Sequence, residues 1–122
     1  MGYVPRPELV HLYYGCEAVV YPSLYEGFGI PVAEAIVAGK AVLTSHRSPM
    51  ADTAGSGAIC IDPWDTNSIA SGLADLICDA ALRQELANYN WGQRQRFSIE
   101  RLAEDLFAAY QAIAEYRRKS GV

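Results

Sequence analysis

The apolar positions of this chain change period along its length, and that change predicts its architecture. Residues 18–21, Ala18-Val19-Val20-Tyr21, form an apolar run without alternation, the pattern of a short parallel strand covered on both faces. Before it, Leu9, Val10, Leu12 and Tyr13 predict a short amphipathic helix over residues 7–15, with Gly15 as its stop and His11 on its surface. After it the run breaks at Pro22 into a polar turn with Gly27 and Gly29. Pro31 then opens an apolar segment that predicts a helix over 32–38, with proline at the first helical position and Gly39 as the left-handed stop. Two more short apolar runs, 41–44 and 58–61, read as strands, separated by a loop over 45–49 and a short helix over 49–54 that ends at Gly55-Ser56-Gly57.

From Asp62-Pro63 onward the period is helical throughout. Asp65 or Thr66 caps a helix whose Ile69, Leu73, Leu76 and Ile77 share one face, and Asp79 caps another with Leu82, Leu86 and Tyr89 in register. A last helix spans 98–118, with Ile99, Leu102, Leu106, Tyr110 and Ile113 spaced by three and four, and Arg117-Arg118-Lys119 at the negative end of its dipole. Strands alternating with helices predict an α/β fold with a three-stranded parallel sheet and a helical C-terminal tail. A first strand buried on both faces needs a neighbour on its outer side. The chain therefore reads as the second half of a doubly wound domain, whose ligand site lies at the switch point beside strand 18–21. The unpaired edge leads us to expect self-association or pairing with a second chain.

Composition narrows the function classes. At 122 residues the chain is one domain at most, and 51% hydrophobic residues suffice for a core. A net charge of -4 offers no basic field for nucleic acid, and no apolar stretch is long enough to cross a bilayer. Cys16, Cys60 and Cys78 lack metal-ligand spacing and are expected as buried free thiols, which points to a reducing, cytoplasmic setting. The polar segment at Met1 does not read as a signal peptide.

The chemistry concentrates between Tyr21 and Ala35. Glycines let backbone approach a ligand, and a helix start brings about half a positive charge, so the loop at Gly27-Phe28-Gly29-Ile30 suits a phosphate. The lysine of a Walker loop and the three spaced glycines of a dinucleotide fingerprint are both lacking, which argues against ATP hydrolysis and dinucleotide redox. Glu34, expected in the first turn of the following helix, suits the two vicinal hydroxyls of a ribose. Glu26, before the glycines, suits a sugar hydroxyl or a developing positive charge. The pair reads as recognition of a sugar nucleotide, with a two-carboxylate hydrolase as the competing reading. His46 and Arg47 lie on the ligand side after the second strand, and Tyr25 lies in the loop itself. Tyr13 and Tyr21 read as core, and Trp64 and Trp91 as packing at helix boundaries.

Pro22-Ser23-x-x-Glu26-Gly27-Phe28-Gly29-x-Pro31-x-x-Glu34-Ala35 resembles the donor-site motif of the retaining GT-B glycosyltransferases of family four, the glycosyl transferases group 1. Ala38-Gly39-Lys40-Ala41-Val42 resembles the family's Gly-x-Pro-Val with alanine for proline. Met50-Ala51-Asp52-Thr53-Ala54-Gly55 resembles its Leu-Pro-Glu-x-x-Gly, with Asp52 for glutamate and no proline. Ile61-Asp62-Pro63-x-Asp65 and Arg96-Phe97-Ser98 also match. The resemblance implies a partial GT-B C-terminal domain over residues 1–122 that takes a nucleotide diphosphate sugar as donor, without cofactor or metal, in polysaccharide biosynthesis. It implies that Glu34 holds the ribose, that Gly27, Phe28, Gly29 and Ile30 present amides to phosphates and sugar, and that Glu26 contacts the donor sugar as the candidate catalytic group. The family's basic side chains for the leaving diphosphate, and its acceptor-binding N-terminal domain, have no counterpart here, so the chain alone is expected to be inactive. The full-length protein is expected in the cytoplasm, peripheral at the inner membrane. A nucleotide-sugar epimerase of GT-B shape and a non-catalytic interaction module are the alternatives.

Overall fold

The computed structural model describes residues 2–47 and 49–121; Met1, Ser48 and Val122 lie outside them. The element order is α1 (Arg6–Gly15), β1 (Ala18–Tyr21), α2 (Ile30–Val37), β2 (Ala41–Ser45), α3 (Met50–Ala54), a 3-10 turn (Gly55–Gly57), β3 (Ala58–Ile61), α4 (Thr66–Cys78), α5 (Ala80–Gln93), a second 3-10 turn (Arg94–Phe97) and α6 (Ile99–Ser120). The three strands pair in parallel in the order β1-β2-β3, with Ala18 opposite Ala41, Tyr21 opposite Thr44, and Ser45 opposite Ile61. The α/β class and the parallel sheet are as the periodicity predicts.

Every residue of β2 is buried, and its alternation assigns the two faces of the sheet. Val42 joins Val32, Ile36, Met50 and Ala54 in a core under α2 and α3. Ala41 and Leu43 point the other way and join Ile61, Leu76 and Leu86 under α4 and α5. The close fit of α4 is set by Gly72, where a Cβ would lie 2.6 Å from Ile61 Cγ2 and 2.9 Å from Leu43 Cδ1.

Strand β1 departs from its expected burial. Val20 lies opposite Leu43 on the α4/α5 face, but α4 packs on β2 and β3 and α5 on β2, so Val20 is 43% exposed. Among the described residues β1 is an edge strand.

Asp65 and Asp79 cap their helices as predicted, accepting from the Asn67 and Leu82 amides, and Ser98 caps the last helix by accepting from Arg101. The stripe on α4 ends one residue early, with Leu76 buried and Ile77 exposed. On α5, Asn90 rather than Tyr89 is the buried residue. The predicted stripe of α6 exists but stays open to solvent, from Ile99 at 72% to Ile113 at 57% exposure. Cys60 and Cys78 are exposed and only Cys16 is partly buried, which corrects the expectation of buried thiols; both edge strands and helix ends carry solvent at these positions. Trp91 packs against Gly39, whereas Trp64 is 69% exposed. Among the described residues no helix is long and apolar enough to cross a membrane.

Candidate functional site

The site grows from the carboxyl end of β1. Thr44 on the buried central strand donates its hydroxyl to the Tyr21 carbonyl at 2.8 Å, which fixes where the strand stops and the loop begins. The loop folds back on that strand end through Glu26. Tyr21 donates its phenolic hydroxyl to Glu26 Oε1, and Ser23 Oγ lies 3.1 Å from the same oxygen. The bond to Glu26, and then burial, raise the Tyr21 pKa above its ordinary value, because both favour the neutral phenol.

Farther on, Thr53 of α3 donates to the Phe28 carbonyl at 2.8 Å, and the Phe28 ring meets Phe97 edge-on with centroids 6.4 Å apart. These contacts hold the loop against the helix start. Gly29 is the N-cap of α2 at φ 81, a left-handed conformation natural to glycine, and no side chain caps the helix. A Cβ there would come 3.2 Å from Met50 Cγ, so glycine also permits the loop to sit tight on α3. The first helical residue is Ile30, which puts Pro31 second rather than first. Glu34 is consequently just past the first turn instead of within it. Its carboxylate still lies on the side of α2 facing α1.

That placement gives Glu34 two neighbours. Arg6 Nη1 lies 3.1 Å from Glu34 Oε1, in a pair whose arginine is largely exposed. The Tyr13 phenol lies 3.5 Å from the Pro31 carbonyl; burial first, then the nearby Glu34 carboxylate, push its pKa well up. A cleft of about 660 Å³ opens beside them, between α1, α2 and the start of α6. Phe28, Ile30 and Glu34 reach it together with Arg6, Tyr13 and Arg96. Glu26, Gly27 and Gly29 do not line it. The two carboxylates therefore occupy different surroundings: Glu34 at the rim of a largely apolar cleft, and Glu26 in the loop at the strand end.

The other candidates separate cleanly. His46 places Nδ1 2.9 Å from the Ile61 carbonyl and is tied to the end of β3. Arg47 is exposed, and its amide donates to Ser45 Oγ. His11 is exposed on α1. Tyr25 is 86% exposed and lies outside that cleft. Among the described residues no three His, Cys, Asp or Glu side chains gather as a metal site would need. Sequence reasoning missed Arg6; its core reading of Tyr13 and Tyr21 holds for the rings, which pack under α2 and α3, but it did not foresee the contacts of their hydroxyls. A signal existed for Tyr21: a phenol at a strand end needs a partner, and a carboxylate follows five residues on.

The family model described as glycosyl transferases group 1 matches residues 1–92. The chain belongs to the group 1 glycosyl transferases. Its sheet and helices are consistent with the Rossmann-like C-terminal domain of GT-B transferases. Among curated relatives, the O-antigen chain mannosyltransferase B of Escherichia coli is 31% identical over 113 residues, which is 93% of this chain and 30% of that protein. The D-inositol 3-phosphate glycosyltransferase of Corynebacterium jeikeium is 31% identical over 113 residues, covering 89% of this chain and 27% of the relative. The O-antigen chain mannosyltransferase RfbU of Salmonella typhimurium is 33% identical over 101 residues, covering 80% and 29%. This group 1 chain thus spans less than a third of the length of these relatives. No solved structure matches at a comparable level of significance.

Proposed function

We propose that the chain is the donor-binding part of a retaining glycosyltransferase that moves a sugar from a nucleotide diphosphate sugar to a glycan or lipid-linked acceptor. The observation that carries the reading is the uncapped, glycine-led start of α2 with Glu34 one turn inside it. Amides at that start serve the diphosphate, with Gly27, Phe28, Gly29 and Ile30 forming the approach, and Glu34 takes the ribose diol. Arg6 now occupies one oxygen of Glu34 and yields it, or shares it, when the nucleotide arrives. Glu26 meets the transferred sugar. No cofactor enters this scheme. The names of two relatives support mannosyl transfer in polysaccharide assembly as the specific version.

The short span relative to the family members supports a second element of the proposal, that a further domain completes the enzyme. The exposed face of α6 and the edge of β1 are the surfaces such a partner would cover. The same surfaces favour the interaction-module reading, in which the chain binds a partner and transfers nothing. Donor binding separates the two. Calorimetric titration of the chain with GDP and UDP should detect one of them, and Glu34→Ala should weaken it at least about tenfold, the loss of a charge-assisted bond or two. Binding unchanged in Glu34→Ala overturns the ribose assignment. Binding of neither nucleotide favours the module. Sugar turnover by the isolated chain above blank would overturn its dependence on a further domain.

A further inference from the structure

Glu26 is held by the end of β1 as well as by its own loop, and this has a functional reading. Its carboxylate sits on a stretch, Ser23 to Gly27, that contains no helix or strand. Yet both donors that reach it land on one oxygen. Tyr21 gives its hydroxyl to Oε1, and Ser23 Oγ stands 3.1 Å from the same atom. Ser23 divides its single proton between that oxygen and the Tyr25 carbonyl at 3.2 Å, so the phenol is the more committed donor.

Tyr21 is also the stiffer of the two supports. Its backbone is the last residue of β1, in register with Thr44 and bonded to the Thr44 hydroxyl. Its ring packs against the core under α2 and α3. A planar side chain with two torsions, fixed at both backbone and ring, transmits the position of the sheet to the carboxylate with little loss of order. Two donors on Oε1 leave Oε2 as the oxygen that a ligand meets.

We propose that Tyr21 is a positioning residue for donor-sugar recognition, holding Glu26 through Oε1 so that Oε2 is presented to the sugar. This rests on the donor-site reading above. The bond also keeps Tyr21 protonated beyond the usual range, in agreement with a strong acceptor at the phenol. The role extends to Ser23 as the weaker support.

The test separates sugar from nucleotide. Dissociation constants for GDP and GDP-mannose, and for UDP and UDP-glucose, are measured on the 122-residue chain and on Tyr21→Phe, Glu26→Gln, the double variant and Ser23→Ala. Tyr21→Phe keeps the ring in its packing and removes one oxygen, so its fold should persist; a matched far-UV spectrum checks this. The expected result is that nucleoside diphosphate binding stays within about twofold while the extra affinity for the sugar nucleotide falls about three- to tenfold, the worth of one oriented hydrogen bond. Ser23→Ala should give a smaller loss in the same direction. In the Glu26→Gln background Tyr21→Phe should add nothing further.

An undiminished sugar increment in Tyr21→Phe overturns the positioning role alone. Equal loss of nucleotide and sugar-nucleotide affinity overturns it too, since a purely structural defect lowers both. A wild-type chain that binds nucleotide and sugar nucleotide equally removes Glu26 from the sugar, and Tyr21 with it, while leaving Glu34 in place. Failure to bind any of the four probes overturns the donor-site reading itself.

Discussion

Asn90 joins three elements, and its replacement makes a quantitative test of how this half-domain is held together. The side chain is fully buried. Its amide donates to the Lys40 carbonyl at 2.7 Å, just before β2, and to the Gly57 carbonyl at 2.8 Å, just before β3. Among the described residues Oδ1 has no hydrogen-bond partner, so the whole polar contribution runs through the two donors. Asn90→Ala strands both acceptors. The Gly57 bond is buried and its carbonyl stays unpaired; the Lys40 bond is half-buried and water replaces part of it. At about 1–3 kcal/mol for a stranded buried group and about 1 kcal/mol for the other, the cost is about 2–4 kcal/mol. Gly57 supplies the control. Its φ is not positive, so alanine brings no backbone strain, but a Cβ would lie 1.7 Å from Asn90 Oδ1. Gly57→Ala must therefore eject the Asn90 side chain and lose the same two bonds, with overpacking that costs about 1–3 kcal/mol. In the Asn90→Ala background the clash is gone, and Gly57→Ala should cost under about 1 kcal/mol. Urea unfolding read by both far-UV circular dichroism and tryptophan fluorescence measures the cycle; two probes are needed because Trp91 adjoins the substituted residue. Asn90→Ala within about 0.5 kcal/mol of wild type, or additivity within about 0.5 kcal/mol, would refute the reasoning.

Two further outcomes follow from the tyrosines and the exposed ion pair. Tyr13, through burial and then Glu34, and Tyr21, through Glu26 and then burial, both have folded-state pKa values above the ordinary 10.0. The unfolded chain then loses these protons first, so stability holds up to about pH 10 and falls as pH rises beyond it, by at most about 1.4 kcal/mol per pH unit for each phenol. Urea midpoints across that range should fall less steeply in Tyr13→Phe, and to a smaller extent in Tyr21→Phe, where solvent reaches the group; parallel curves would contradict the assignment. Arg6→Ala should change stability by less than about 1 kcal/mol, with the difference shrinking in salt, since the arginine of the Arg6–Glu34 pair is 76% exposed; a loss of several kcal/mol would show that the pair is a structural clamp.

The order of elements, the parallel sheet and the loop that carries the site are written in the local sequence. Runs such as Ala41-Val42-Leu43 have one period only, Pro22 fixes its own φ, Gly39 reaches the left-handed φ of 65 that other residues avoid, and Asp65, Asp79 and Ser98 cap their helices within three residues. The glycines and Glu34 are legible for the same reason, because their roles depend on neighbours along the chain. Burial was not legible in the same way. The apolar stripes of β1 and α6 look alike in the sequence whether or not something covers them, and only the packing of α4 and α5 leaves Val20 exposed. Likewise, nothing local joins Arg6 to Glu34 across 28 positions. Local geometry fixes φ, ψ and the caps, whereas side-chain partners depend on which elements the sheet register brings together, and that is a property of the folded chain as a whole.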